Sequence, residues 1–598
     1  MLSFSVALAV VCATTATVGL AKGKRVIEPF DYRGVRLTGG RLGHEVDEVR
    51  DYYLNLPLDD LLHGFRVRAG LPAPGKELGG WYTGDNGNVF PQILSGIARM
   101  YASTGDARCL EKAHAMLTEW TKCIGPDGYP MYTNHPTSRQ YFYEKVAGAM
   151  VDMARYCKRK DALDALSRVT DWAVKSFTRD RVYANANGDR NNPLCDSGEW
   201  YTVSENLYRA YLETGDEKYR DFAKVWEYTD YWDTFAHNGD IFVPRANGER
   251  TEAYHAYSHV NTFASDAAAY LVTGEPHYLD ALKNAYDFLQ ATQVFATGGY
   301  GPDEQLAPHA RILQLLKATN NTFETQCGSW AAFKMSKYLM SFTGDAKYGD
   351  WVERLTLNGI GASLPMSSSG QVTYYSNYRP GPVTKELFGD GWSCCTGTRP
   401  QAVADYADQV FFRDDRSLYV NLFTPSTATH TVAGQAFTVT QQTRFPEVST
   451  TSFTFSLSHP VRFALKLRSP GWLAAPITAT LNGASVKVAT DDLQWAVIDR
   501  HWKDGDRLEV NLPAKLWTCR FGNDAKAPGA IMFGPVVLAF RSLDGDPTAK
   551  LNLDDPAKCL VPVAGEPLSF HVKDDANILA RPFYAFQQGE PYYMYFGL

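Results

Sequence analysis

The chain has 598 residues, 45% of them hydrophobic and 21% charged, with a formal net charge of -7 at pH 7. This is the composition of a globular protein of two or three domains with a large core. No Lys/Arg-rich run is interleaved with aromatics, which excludes nucleic acid as the expected partner; aromatics at 13% suit either a large core or a sugar-facing cleft.

In chain order, MLSFSVALAVVCATTATVGLAKGK is an apolar run followed by small residues and then lysines. That is the pattern of a cleaved export signal over residues 1–22 rather than of a membrane span. The mature protein is therefore expected to be secreted or periplasmic. A lipid anchor on Cys12 is disfavoured by the bulky Val11 before it. No later stretch approaches transmembrane length. Of ten cysteines, loss of Cys12 with the signal leaves an odd number, so at least one thiol is unpaired.

From about residue 45 to about 410, amphipathic segments of helical length alternate with short breaks. MYASTGDARCL, AYLETGDEKY, AYLVTGEPHY and SFTGDAKYGD each give an aromatic helix end, a Thr-Gly stop, an acidic residue and a fresh helix start. The repeating unit is a helical hairpin, and many such units predict a closed toroid of helices, with an open solenoid as the alternative. Cys109, Cys123 and Cys157 fall in helix-like stretches and are expected to be buried and inert.

In NNTFETQCGSWAAFKMSKYLMSF, residues 320–342, Cys327, Trp330, Ala331, Met335, Tyr338 and Phe342 share one helical face. Glu324 precedes Cys327 by three residues. If the helix has begun there, carboxylate and thiol share a face; alternatively Asn321 caps the helix and Glu324 folds back on its backbone. GWSCCTGTRP follows at 391–400, with Cys394 and Cys395 adjacent, a spacing that rarely reaches disulfide geometry. Free thiols in an oxidising compartment are usually reactive or metal-bound. Cys327, Cys394, Cys395 and one carboxylate would make a ligand set that tetrahedral Zn2+ accepts.

After about residue 412 the texture changes. TSFTFSLSHPVRFALKLRSPGW alternates apolar and polar residues, and ATLNGASVKV places Asn482-Gly483 between two strand-like runs. WKDGDRLEVNL repeats the alternation. The predicted organisation is a helical domain over 23–412 and one or more β-sandwich domains over 413–598.

Several of these stretches together, in order, carry a resemblance: LLHGFRVRAGLPAPGKELGGW, AYHAYSHVNTF, ATGGYGPDEQ, the E-T-Q-C helix, WSCCTGT, KLRSPGW and HWKDGDRLEVNLP. The chain resembles glycoside hydrolase family 127 and its relatives, the DUF1680 group, whose characterised members are β-L-arabinofuranosidases. The resemblance implies an N-terminal (α/α)6 helical barrel followed by C-terminal all-β sandwich domains. It also implies a retaining, exo-acting hydrolase of carbohydrate side chains with a zinc-bound cysteine nucleophile. Carried over by position, Cys394 is the nucleophile, Cys395 and Cys327 are zinc ligands beside it, and Glu304 is the general acid/base. Glu324 is the carboxylate nearest the fourth ligand position, and His259 matches a pocket histidine.

The chain also departs from the family pattern. The family writes E-x-C where this chain has E-T-Q-C, so Thr325 falls in the carboxylate position and Glu324 one residue early. The metal site then either shifts to admit Glu324, is three-thiolate, or is absent. Asn88 and Gln92 stand where relatives carry an H-x-x-x-H pair, and Glu144 stands for a further histidine, exchanges that imply a different sugar or linkage. Glu144 is alternatively a salt-bridged structural residue. Two other functions stay open: a two-carboxylate glycosidase or polysaccharide lyase using Glu144, Glu205 and Glu304, and a catalytically silent carbohydrate-binding protein.

Overall fold

The computed structural model describes residues 19–84, 87–136, 138–179, 199–243, 253–523, 527–543 and 545–597. The expected export signal lies almost wholly outside them. Six helices form an inner ring: Val89–Thr104, Arg139–Cys157, Val203–Thr214, Ala256–Thr273, Thr325–Thr343 and Cys394–Ala404. Each packs on the next, and the sixth packs on the first, so the toroid is closed. Each inner helix also packs against an outer one; for the sixth, that partner is Gly40–Leu54 near the start of the chain.

The two rings differ in sequence as they differ in burial. The fourth inner helix is buried on nearly every residue from Ala256 to Val272, because inner helices have neighbours all round. The outer helix Ala107–Thr121 buries only Cys109, Ala113, Met116, Leu117 and Trp120, one stripe at helical spacing. Cys109, Cys123 and Cys157 are buried as expected, and no described cysteine is in a disulfide.

The Thr-Gly stops work as a local hydrogen-bonding unit. Gly105, Gly215, Gly274 and Gly344 take φ of 73°, 75°, 72° and 73°, the left-handed conformation that ends a helix. The preceding threonines, Thr104, Thr214, Thr273 and Thr343, donate their hydroxyls to the carbonyl four residues back. Each also accepts the backbone N–H two residues on. Asp106, Asp216 and Asp345 then cap the next helix by accepting a backbone N–H. All four turns lie at C-terminal ends of inner helices, so the inner N-termini converge at the opposite mouth.

Strands dominate from Phe411 onward. A six-stranded and a seven-stranded sheet hold most of residues 411–511, and their facing aromatics form the core, with Phe437 stacked on Phe463 at 4.2 Å and Phe455 on Trp502 at 4.0 Å. Asn482 and Gly483, both at positive φ, turn Thr478–Leu481 into Ala484–Val486 as the sequence predicts. A third sheet, from Leu516 to Pro582, follows.

One segment departs from the expected division. Glu28–Pro29 pairs with Phe412 and Arg413, and Val35–Leu37 pairs with Ser426–Ala428. The chain therefore starts as edge strands of both sandwich sheets before it enters the barrel. Barrel and sandwich are also joined by Arg468, which is fully buried, 2.5 Å from Glu353 and ion-paired with Asp350. No helix among the described residues is long and apolar enough to cross a membrane.

Candidate active site and metal centre

The fifth and sixth inner helices bring the thiols to the N-terminal mouth. Cys327 is the third residue of Thr325–Thr343, and Cys394 and Cys395 are the first two of Cys394–Ala404. Helix N-termini carry partial positive charge, which favours thiolate there. Glu324 lies just outside its helix, paired through the short strand Phe323–Glu324 with Tyr375–Ser376. It caps nothing with its side chain, so the capping-box alternative does not hold.

Glu324 Oε1 is instead 3.4 Å from Cys394 Sγ and 3.7 Å from Cys395 Sγ. Cys327 Sγ is 3.8 Å from Cys394 Sγ and 3.5 Å from Cys395 Sγ. One ligand atom from each of these four residues falls within 4.8 Å of all the others. Thr325, which alignment on Cys327 puts in the carboxylate place, turns away and shares a 2.8 Å hydrogen bond with Ser376 Oγ. Glu324 thus supplies the carboxylate despite its one-residue offset. Its Oε2 is buried with no hydrogen-bond partner, as expected of an atom that awaits a cation or a ligand. Three sulfurs and one oxygen converging on one point fit a zinc ion.

The acid side of the site is built around Glu304, held at φ 58° beside Asp303 at φ 50°. Such left-handed backbone in non-glycine residues is strained and concentrates at functional sites. Glu304 Oε1 accepts hydrogen bonds from the hydroxyls of Tyr374 at 2.9 Å and Tyr375 at 2.6 Å, and Oε2 is 2.9 Å from His255 Nε2. The Tyr374 hydroxyl also lies 3.5 Å from Cys394 Sγ, so one phenol touches both thiol and carboxylate. Trp81 and Phe388 pack against Tyr374 as an aromatic wall.

The charges are unequal within the cluster. Hydrogen bonds from Cys327 and then Cys395 lower the Cys394 thiol well below its ordinary range. Burial first, and its hydrogen bonds with Cys394 and Cys395 next, push the Cys327 thiol up, and burial raises Cys395. Cys394 is also the only one of the three that is not fully buried. Burial, with the Cys394 charge beside it, raises Glu324 well above the carboxylate range.

The remaining expected residues lie elsewhere. His259 is fully buried; its Nδ1 lies 2.8 Å from the His255 carbonyl, and Tyr201, Tyr228, Tyr231 and Tyr254 surround its ring. The histidine of that segment at Glu304 is His255, four residues earlier, at the helix N-cap. Glu144 is 2.6 Å from Lys145 Nζ and accepts 2.6 Å from Asn206, and Glu205 is ion-paired with Lys334. Each of these two carboxylates is held by a buried lysine. Gln92 donates to Thr398 Oγ1 at 2.9 Å, and that hydroxyl is 3.1 Å from Cys327 Sγ, so Gln92 stands one layer behind the thiols. Asn88 is buried at the start of the first inner helix. Tyr374, Tyr375 and Thr398 escaped the sequence reading, because no pattern in VTYYSNY ties those phenols to residues that lie tens of positions away.

Residues 34–408 match the family model described as the β-L-arabinofuranosidase GH127 catalytic domain, and 417–514 the GH127 middle domain. Among solved structures, a GH127 β-arabinofuranosidase is 18% identical with TM-score 0.74, covering 96% of this chain and 98% of that one. Ara127N-Se, a GH127 β-L-arabinofuranosidase from Geobacillus stearothermophilus T6, is 17% identical with TM-score 0.67, covering 94% and 99%. A third, described as a glycoside hydrolase, is 15% identical with TM-score 0.67, covering 97% and 98%. These likenesses concern the fold. No curated protein matches.

Proposed function

Since the chain belongs to glycoside hydrolase family 127 and is a glycoside hydrolase of the arabinofuranosidase-like kind, we propose that it is a retaining, exo-acting enzyme with a cysteine nucleophile. Cys394 Sγ attacks the anomeric carbon while Glu304 gives its proton to the leaving glycosidic oxygen, so a C–S bond forms as the C–O bond breaks. Glu304, now ionised, takes a proton from water, whose oxygen displaces the sulfur and releases the sugar with retained configuration. Tyr374 and Tyr375 orient the Glu304 carboxylate, and Trp81 offers a ring face to the sugar.

Cys327, Cys394, Cys395 and Glu324 would hold a zinc ion. When bound, it supplies the positive charge that keeps the Cys394 thiol deprotonated at neutral pH.

The carrying observation is the Tyr374 hydroxyl, 3.5 Å from Cys394 Sγ and 2.9 Å from Glu304 Oε1. Through this shared contact Cys394 Sγ and Glu304 Oε1 can be no farther apart than the two distances laid end to end, which falls short of the ~6.5–9.5 Å that admits an inverting water. The substrate class is a pentofuranoside or related sugar on an oligosaccharide or polysaccharide side chain, and the apolar leader of the sequence supports action outside the cytoplasm.

The test is hydrolysis of a panel of aryl pentosides, β-L-arabinofuranoside among them, with zinc measured by elemental analysis. Cys394→Ser is expected to lower kcat by at least ~10³-fold in a folded protein, and Cys395→Ser to lose stoichiometric zinc. Full activity in Cys394→Ser would overturn the mechanism.

A further inference from the structure

The Glu324 carboxylate faces two ways. Its Oε1 lies against the thiols of Cys394 and Cys395, while Oε2 is buried and has no hydrogen-bond partner. Close to this carboxylate stand His255 and Glu304. One ligand atom each from His255, Glu304 and Glu324 again falls within 4.8 Å of the others. Two carboxylates and an imidazole are donors that first-row divalent ions accept.

The imidazole is also held in one orientation. His255 Nδ1 is 2.9 Å from Ser258 Oγ, and that hydroxyl is 2.6 Å from the Tyr201 hydroxyl. The ring is thus fixed from behind, with Nε2 aimed into the site. Because Nδ1 accepts the Ser258 backbone N–H, Nε2 carries the proton that it gives to Glu304 Oε2, and an ion taking Nε2 displaces that proton. His255 Nε2 and Glu304 Oε2 are 2.9 Å apart. Ligands at ~2.0–2.1 Å from an ion lie roughly that far from each other, so only the Glu324 carboxylate must close in.

We infer that His255, Glu304 and Glu324 form a second divalent-cation site, weaker than the thiol centre and joined to it through Glu324. Filling it occupies the Glu304 oxygens. The site therefore sets a ceiling on useful metal: the first equivalent belongs to the thiol cluster and the second stops hydrolysis. That inhibitory consequence rests on the reading of Glu304 as acid/base; the binding itself does not.

Reduced, metal-stripped full-length protein is titrated anaerobically with Co2+, and zinc uptake is measured by equilibrium dialysis. Two equivalents are expected, the first with a thiolate-to-cobalt absorption band and the second without it. His255→Gln should weaken the second at least tenfold and leave the first. Ser258→Ala, which keeps the imidazole, should weaken the second by ~10–100-fold. Cys395→Ser should abolish the first equivalent together with its band and leave the second. A single equivalent, or a second whose affinity neither His255→Gln nor Ser258→Ala changes, overturns the proposal. A second equivalent without any thiolate band would overturn the cysteine-zinc reading and leave this one standing.

Discussion

His259 shows how one side chain can look like a pocket residue in sequence and lie within a cage of tyrosines in the fold. Burial among four tyrosines lowers its pKa from the usual 6.5 to about 3, against a smaller opposing hydrogen bond to the His255 carbonyl. Between those values the unfolded chain binds a proton that the folded chain refuses, so stability falls as pH falls. By pH 5 the loss attributable to this ring is about 2 kcal/mol. The unfolding free energy from urea titrations should drop by that amount between pH 7 and pH 5 in wild type and by much less in His259→Gln. An equal slope in both would assign the acid sensitivity elsewhere. AYHAYSHVNTF contains both histidines, and its letters do not say which faces Glu304. His255 stands at the N-cap, with extended φ and ψ, whereas His259 is one turn inside the helix. The cysteines were easier to read, because adjacent thiols in a chain with an export-like leader have few structural uses.

Among the elements, the seam between the first and sixth inner helices is where the ring closes, and two glycines make room for it. A Cβ on Gly96 would lie 2.6 Å from the Pro400 ring and 3.0 Å from its backbone, which cannot yield. A Cβ on Gly397 would lie 2.3 Å from Gln92 Oε1, the end of a flexible side chain. The two substitutions should therefore separate. Gly96→Ala is expected to cost about 1–3 kcal/mol of stability. Gly397→Ala, whose Cβ would also lie 3.0 Å from Gln92 Cβ, should cost less than that and in addition displace Gln92 from Thr398, weakening metal retention by ~10–100-fold, as loss of a supporting contact does. Competition with a chelator, set beside thermal denaturation, reads both. The hairpins were legible beforehand, because Thr, Gly and Asp act on neighbours within a few residues. The seam was not, since Gly96 and Pro400 are distant in sequence and glycine in a helix carries no address.

At the scale of the whole molecule, Arg468 ties sandwich to barrel. Its guanidinium is fully buried between Glu353 and Asp350, and Trp472 Nε1 donates to Glu353 at 2.7 Å. Arg468→Ala leaves Glu353 buried without its countercharge, a loss expected to cost about 3–5 kcal/mol. Adding Glu353→Gln should recover part of it in a double-mutant cycle; additive losses would show that the pair does not couple. The change from helix to strand near residue 411 was legible from alternation alone. The return of residues 28–37 to the sandwich was not, because edge strands this short carry no periodicity. That return has a consequence in time. Val35 pairs with Ala428, and at ~5–20 residues per second of synthesis its partner leaves the ribosome tens of seconds later. This early strand is among the last to find its place, and until then its open edge must be kept from other chains.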